Sequence, residues 1–354
     1  MRAPGCRTGL ACASVRARPP DLTDTDVMAE VARGWAVRTD AAAYVPKGGG
    51  SHHWRMTDQR GRSLFVTVDD LDDKDWMAEN REGVYDGLRR ALGVAASLRD
   101  EANLDFVVAP IPSIHNETVR HLGPRYAVSV FPLLVGQSYP FGPHTDPQRR
   151  RQVVDMLVAL HSVAAAVAPK ARLDEPSFGG RRDLEIALED PDRPGEGGPF
   201  ADAARRMVAK HASALTEVVG GFDRLVAATR QTRSVPVITH GEPHAGNVMS
   251  VDGRLVLIDW DTTALGAPER DLWLIASDRG DEITRYQATT GRHIDPASMS
   301  LYRLRWYLDD VASAVRLFRR RHQRTEDTQR WWEGLAPRLR QLPAWRRTLA
   351  ELDA

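Results

Sequence analysis

One stretch constrains this chain more than any other: His240-Gly241-Glu242-Pro243-His244-Ala245-Gly246-Asn247, followed by Leu257-Ile258-Asp259-Trp260-Asp261. Between the two parts, apolar-rich runs flank Asp252-Gly253. That pattern is a strong short-range signal for a tight β-hairpin. Asn247 lies about as far before the turn as Asp259 lies after it. A hairpin folded there carries both side chains to its open end, beside Glu242. An amide oxygen and a carboxylate placed together are hard ligands, suited to Mg²⁺ rather than to soft metals. A further carboxylate at that end can orient a hydroxyl or accept its proton.

The arrangement resembles the catalytic loop and metal-binding strand of the protein-kinase-like fold. The Gly after His240 and the second His at 244 are closer to the aminoglycoside and small-molecule phosphotransferases. In that family the loop commonly reads H-G-D-x-H-x-x-N, and here Glu242 stands in place of the Asp. Glu is one methylene longer, which moves the carboxylate by roughly 1.5 Å. The resemblance implies catalytic roles for Glu242, Asn247 and Asp259, with Asn247 and Asp259 holding the metal and Glu242 facing the acceptor. Asp261 is either a further ligand or substrate contact or an exposed acid. The two histidines are expected to support the loop. A zinc pair formed by His240 and His244 at helical spacing is the other reading, and Gly241 and Pro243 argue against a helix there.

Composition narrows the partners. The chain has 354 residues and a formal net charge of zero, so nothing in it favours a nucleic-acid polymer or an acidic membrane. No apolar run is long enough to span a bilayer. Cys6 and Cys12 make neither a disulfide framework nor a metal cage. Residues 1–22 are expected to be a disordered extension, and a cytoplasmic location follows by default.

Along the chain, a short helix over Thr23–Gly34 precedes strands at His53–Met56 and Leu64–Val68. A helix follows over Trp76–Leu98, then strands at Phe106–Ile111, Thr118–His121 and Arg125–Leu134. After residue 136 the pattern is mainly helical, with Pro147 in the first turn of a helix capped by Thr145 or Asp146. Helices are expected at Arg181–Glu189, Ala201–Val219, Phe222–Thr229, Glu269–Ser277, Asp281–Thr289, Pro296–Arg321 and from Thr325 onward. Strands first and helices later give an α+β chain. With the resemblance, this becomes a two-lobed protein-kinase-like fold. Residues 23–135 form a mainly antiparallel, nucleotide-binding small lobe, and 136–354 a mainly helical lobe with the catalytic loop and acceptor site.

The resemblance also implies a place for each part of phosphoryl transfer. Gly48, Gly49, Gly50 and Ser51, with Lys47, form the loop over the nucleotide phosphates, where glycines let backbone N–H groups approach anionic oxygens. Phe131 and Leu133 belong to the hinge that holds the base. The strand lysine expected to meet the phosphates is absent, and Thr67 stands there. Lys47, His53, Arg55 or Lys74 would have to supply that charge. Asp271 resembles the acid that braces the catalytic loop. Acceptor contacts are sought among Glu269, Asp278, Asp281, Glu282, Asp309 and Asp310. The expected reaction is Mg²⁺-dependent transfer of the γ-phosphoryl group of ATP or GTP to a hydroxyl of a small molecule, with an aminoglycoside or aminocyclitol antibiotic as the expected acceptor. A metabolite or sugar kinase, or a catalytically weak nucleotide-binding pseudokinase, is the alternative.

Overall fold

A computed structural model of the protein describes residues 17–19, 21–230 and 235–353. In chain order the elements are α1 (Asp24–Trp35), β1 (Thr39–Val45), β2 (His52–Asp58), β3 (Ser63–Asp70), α2 (Arg81–Asp100), β4 (Arg120–Leu122), β5 (Tyr126–Pro132), β6 (Gln137–Ser138) and α3 (Pro147–His161). Three helices follow: α4 (Arg181–Glu189), α5 (Ala201–Lys210) and α6 (Ala212–Thr229). Next come β7 (Val237–Thr239), β8 (Val248–Val251), β9 (Arg254–Leu257), β10 (Ala264–Gly266), α7 (Glu269–Leu272) and α8 (Asp281–Thr290). The chain ends in α9 (Pro296–Arg319), α10 (Glu326–Leu339) and α11 (Leu342–Leu352). Among the described residues these elements form two compact units, one within 17–174 with 236–292, the other within 175–235 with 293–353. The expected lobe boundary at residue 135 lies inside the first unit.

In the first unit, five strands pair antiparallel in the order β1-β2-β3-β5-β4. Alternation along β3 sends Leu64, Val66 and Val68 to one face and Phe65 and Thr67 to the other. The first face, with Trp54, Met56, Val128 and Val130, packs on Val27, Val31 and Trp35 of α1. Each fully buried aliphatic side chain of this kind contributes about 1.5–3 kcal/mol. Helix α1 starts at a capping box between Thr23 and Asp26, and Trp54 Nε1 donates to Asp24 at 2.7 Å. The opposite face keeps His53, Phe65, Thr67 and Phe131 half-buried.

Much of the expected extension 1–22, including both cysteines, lies outside the described residues. Of the part described, Arg18 pairs with Asp24, and Asp21 accepts from Tyr126 and Arg125.

Several local expectations differ from the structure: the helix expected over Ala201–Val219 divides between α5 and α6, that over Glu269–Ser277 ends at Leu272, and two further differences have a clear cause. Phe106–Ile111 does not join the sheet as a strand. Instead Leu257 N–H donates to Phe106 at 2.7 Å and Val108 N–H donates to Leu257 at 3.1 Å, so this segment lies along the end of β9. Pro110 and Pro112 remove donors that a longer ladder needs. The expected break at Gly220-Gly221 is also absent, and α6 runs through it from Ala212. Both residues are in the second unit, and the reason is packing. A Cβ at Gly221 would lie 2.4 Å from Leu349 Cδ1, so glycine there lets α11 approach α6.

Within the second unit, the core joins Leu215, Val218 and Phe222 of α6 to Leu304, Leu308, Val311 and Val315 of α9, with Leu335, Leu339 and Trp345 beside them. Asp309 and Asp310 belong to this unit. Asp309 accepts the Gly179 N–H at 2.5 Å, and buried Asp310 accepts from Arg338 at 2.9 and 3.0 Å.

Candidate active site

The hairpin forms as its turn sequence dictates. Asp252 and Gly253 have φ of +48° and +77°, the left-handed pair that matches strand twist in a two-residue turn. Register then places Val251 opposite Arg254 and Val248 opposite Leu257. One step further the Ile258 N–H donates to the Asn247 carbonyl at 3.0 Å, so Asn247 and Asp259 meet at the open end. β6 pairs with β8 on the hairpin's other side, and β7 pairs with β10, framing the loop that runs from Thr239 to Asn247.

Hydrogen bonds fix that loop from below. The Asp271 carboxylate accepts the N–H of His240 at 2.8 Å and of Gly241 at 2.6 Å. It is fully buried and also faces His161 Nε2 at 3.0 Å, while His161 Nδ1 meets the Tyr286 hydroxyl at 2.8 Å. Burial acts to raise its pKa, but the His161 contact and the Arg270 charge prevail and hold it below the usual carboxylate value. Arg270 donates to Thr239 at 2.8 Å and to the Thr262 carbonyl at 2.7 Å, and pairs with Asp174 at 3.1 Å. Gly241 has φ of +101°, and a Cβ there would lie 2.5 Å from the Arg270 guanidinium.

Both histidines of the loop are buried. The His240 Nδ1 accepts the Glu242 N–H at 3.2 Å, so its proton sits on Nε2, which donates to the Ile258 carbonyl at 2.9 Å. Burial lowers its pKa and keeps it neutral. His244 packs edge-on against Phe141 at 4.6 Å, and burial pushes its pKa down to about 3. Its Nε2 lies 3.8 Å from Glu242, a polar contact from a neutral ring rather than an ion pair. His144 adds a second buried imidazole, with Nε2 2.9 Å from the Pro243 carbonyl. Among the described residues no three His, Cys, Asp or Glu side chains cluster as a metal cage. With both ring nitrogens of His240 engaged, the zinc alternative has no support here.

Asn247 Nδ2 donates to the Glu242 carbonyl at 3.0 Å, which turns its amide so that Oδ1 remains an acceptor. Asp259 is exposed and holds φ at +68°, a left-handed conformation that Asp tolerates better than most residues. Dehydration among dense surroundings, then the charges of Asp261 and Glu242, raise its pKa well above the usual value. Because the residue is exposed, the crowding of carboxylates is the firmer of those causes. Dehydration also acts to raise the pKa of Asp261, but the Lys74 ammonium overrides it and lowers the value. The open end of the hairpin thus concentrates negative charge around an amide oxygen, which is a demand for a hard cation. The donor set fits Mg²⁺, which takes one or two carboxylates and completes its shell with water and phosphate.

The glycine loop forms between β1 and β2. Gly48 and Gly50 have φ of +86° and +79°, and a Cβ at Gly48 would lie 2.8 Å from His53 Nε2. Ser51 Oγ donates to Asp69 at 2.6 Å, and Lys74 Nζ spans Asp69 at 3.1 Å and Asp261 at 2.7 Å. A continuous chain of polar contacts therefore runs from the glycine loop to Asp261, in the segment that follows β9. Of the two residues expected at the hinge, Phe131 stands opposite Phe65, whose ring stacks on His53 at 4.9 Å, and the Leu133 N–H donates to the Ser63 carbonyl at 3.2 Å.

Glu242, Asn247, Asp259, Asp261, Gly48, Ser51 and Phe131 thus belong to one compact unit, and the first four meet at the hairpin's open end. The acceptor candidates are more scattered. Asp281 is exposed in the first turn of α8, whereas Glu282 is tied to Arg150 at 2.7 Å and to Ser277. Asp309 and Asp310 have the contacts already given within the second unit. Asp69, His144, His161 and Arg270 were not singled out in the sequence. His144, His161 and Arg270 reach Pro243, Asp271 and Asp174 across 99, 110 and 96 positions, which no local pattern marks, while Asp69 meets Ser51 and Lys74 only once the sheet and the loop after β3 have formed.

Comparison with known proteins agrees with this geometry. The family model described as "Phosphotransferase enzyme family" matches residues 45–302. Protein StrN of Streptomyces griseus is 28% identical over 270 residues, which is 73% of this chain and 79% of that protein. A spectinomycin phosphotransferase solved with ADP and spectinomycin superposes with a TM-score of 0.65 at 15% identity, covering 92% of this chain and 99% of that one. An amicoumacin kinase gives 0.55 at 14% identity, covering 91% and 93%. The match spans most of the chain and includes the glycine loop, the loop that carries Glu242 and Asn247, and the segment after β9 that carries Asp259, so the protein is an enzyme that belongs to the small-molecule phosphotransferase family of the protein-kinase-like fold.

Proposed function

We propose that this protein transfers the γ-phosphoryl group of a nucleoside triphosphate to a hydroxyl of an aminoglycoside- or aminocyclitol-like antibiotic, with Mg²⁺. The observation that carries the reading is the meeting of Glu242, Asn247 and Asp259 at one end of a hairpin pinned from below by Asp271. The structural similarity to an enzyme solved with ADP and spectinomycin supports the substrate class.

Asn247 Oδ1 and Asp259 would hold Mg²⁺, which when bound neutralises charge on the β- and γ-phosphate oxygens. The chain's own groups supply the rest. Gly48–Gly50 cover the phosphates with backbone N–H groups. The sheet face with Phe65 and Phe131 supplies an apolar bed for the base, and no side chain on it selects ATP over GTP. Glu242 is partly open to solvent, with 30% of its side chain exposed, and its backbone is held by His240 and Asn247. The acceptor oxygen attacks phosphorus as the bond to the β-phosphate oxygen breaks, and the hydroxyl proton passes to the Glu242 carboxylate. The extra methylene of Glu is accommodated by that half-open position.

Nucleotide turnover is to be measured with Mg²⁺ against aminoglycosides, spectinomycin-like aminocyclitols, sugars and amino alcohols. Acceptor-dependent turnover confined to the first two classes is expected. It should fall by about 10²–10⁴ in Glu242→Gln, the usual contribution of a positioned proton acceptor. Unchanged turnover in that variant would remove Glu242 from its role, and turnover only with sugars would reassign the acceptor.

A further inference from the structure

A nucleotide's phosphates bring several negative charges to a site that already holds Asp69, Asp259, Asp261 and Glu242. Mg²⁺ alone leaves charge on the α- and β-oxygens, so a protein cation is needed beside it. Position 67 on β3 carries Thr and contributes none. Four nearby basic residues are possible sources, and the structure separates them. Lys47 and Arg55 are exposed. His53 leans on Thr67, with Nδ1 3.3 Å from its hydroxyl, and burial pushes its pKa down to about 4, so it is neutral at physiological pH.

Lys74 differs from all three. It lies in the loop after β3 and is 4% exposed. Its Nζ is 2.7 Å from Asp261 Oδ2 and 3.1 Å from Asp69 Oδ1, and its charge acts on Asp259 and on His53. Asp69 also accepts from Ser51, the last residue of the glycine loop. The ammonium therefore sits between the loop over the phosphates and the segment after β9 that carries the metal candidate. Two carboxylates share it, and one of them, Asp261, stands two residues from Asp259. A lysine side chain reaches roughly 6 Å from its Cα, enough to return from the end of β3 toward the face that Thr67 occupies.

We propose that Lys74, tethered between Asp69 and Asp261, is the cation that receives the nucleotide phosphates, doing from the loop after β3 what residue 67 cannot do from within the strand. The proposal rests on the phosphotransferase reading. It gives the three carboxylates separate tasks. Asp259 faces the metal, Asp261 holds the ammonium beside it, and Asp69 links the ammonium to the glycine loop through Ser51.

The test is phosphate-dependent binding. Mg²⁺·AMP-PNP and adenosine are titrated calorimetrically into the wild type and Lys74→Met, or the matching guanine compounds if the wild type prefers them. Thermal midpoints are recorded alongside. At least a tenfold loss of AMP-PNP affinity is expected, with adenosine affinity within twofold of wild type. Equal AMP-PNP binding in the two proteins would overturn the proposal, as would equal weakening of AMP-PNP and adenosine, which is the mark of a purely structural ion pair. If Lys74→Met does not fold, Lys74→Met/Asp69→Asn removes the cation without stranding both carboxylates, and the same two outcomes apply. A wild type that binds neither Mg²⁺·AMP-PNP nor its guanine analogue would instead remove the phosphotransferase reading itself.

Discussion

The Asp271 carboxylate accepts the Gly241 N–H at 2.6 Å, joining the first turn of α7 to the backbone of the loop that carries Glu242 and Asn247. Its second oxygen takes the His240 N–H and faces His161, so one buried group sets two consecutive peptide units. Asp271→Asn keeps the shape but replaces one acceptor with an NH₂ directed at a backbone N–H. The cost expected is about 2–4 kcal/mol, the range for leaving a buried, charge-assisted pair unmatched. Urea unfolding should show it as a lower midpoint at unchanged slope, and kcat should fall with it.

Gly241→Ala tests the same joint from the other side. Its φ of +101° strains any L-residue, and the new Cβ would lie 2.5 Å from a guanidinium fixed by Thr239, Thr262 and Asp174. Backbone strain and displacement of Arg270 together should cost about 2–4 kcal/mol. Calorimetry on the variant checks this, and a midpoint equal to wild type would show that Arg270 moves aside freely.

The metal assignment predicts a divided result. Asp259→Asn and Asn247→Ala should each weaken Mg²⁺ dependence of turnover at least tenfold. The fold should survive in both, because Asp259 is exposed and the Asn247 side chain spans only to the Glu242 carbonyl. Turnover measured across a Mg²⁺ titration is the check, and an unaltered half-saturating concentration in both variants contradicts the assignment.

Acid should destabilise the protein before it reaches the range of ordinary carboxylates. Burial lowers the pKa of His244 from 6.5 to about 3. Between those values the unfolded chain binds a proton that the folded chain does not, so stability is complete above 6.5 and declines as pH falls. The slope approaches about 1.4 kcal/mol per pH unit for one such group. His53, lowered to about 4 but only half-buried, and the buried His240 and His144, also lowered by burial, act in the same direction, so His244 is one contributor among several. Asp271, whose pKa lies below the usual 3.8, adds a further loss only at lower pH still. Thermal midpoints from pH 7.5 to 4.5 should fall less steeply in His244→Gln than in wild type.

Asp310 separates packing from substrate binding. It is 3% exposed and accepts from Arg338, which is equally buried. Asp310→Ala leaves that guanidinium without its carboxylate and should cost about 3–5 kcal/mol. The acceptor KM of whatever folded protein remains should stay within twofold of wild type. A large rise in KM with little loss of stability would return Asp310 to the acceptor site.

The hairpin and its cargo were legible in the sequence because their information is local. Asp252-Gly253 selects the turn, the turn sets the register, and the register alone brings Asn247 to Asp259. The glycines at 48 and 50 announce a loop that only positive φ permits, and Asp146-Pro147 marks the start of α3. The tertiary structure decided what depends on distant residues meeting. Phe106–Val108 lies along Leu257 and not in the sheet, Gly221 stays helical because Leu349 packs on it, and Asp310 pairs with Arg338. The strand that carries Thr67 shows that a lysine is missing, but not what compensates for it. That required seeing Lys74 between Asp69 and Asp261, the latter 187 positions away in the chain. Local sequence fixes dihedral angles and periodicity, whereas a charge is placed by the burial and opposing charges that gather around it only when the chain has folded.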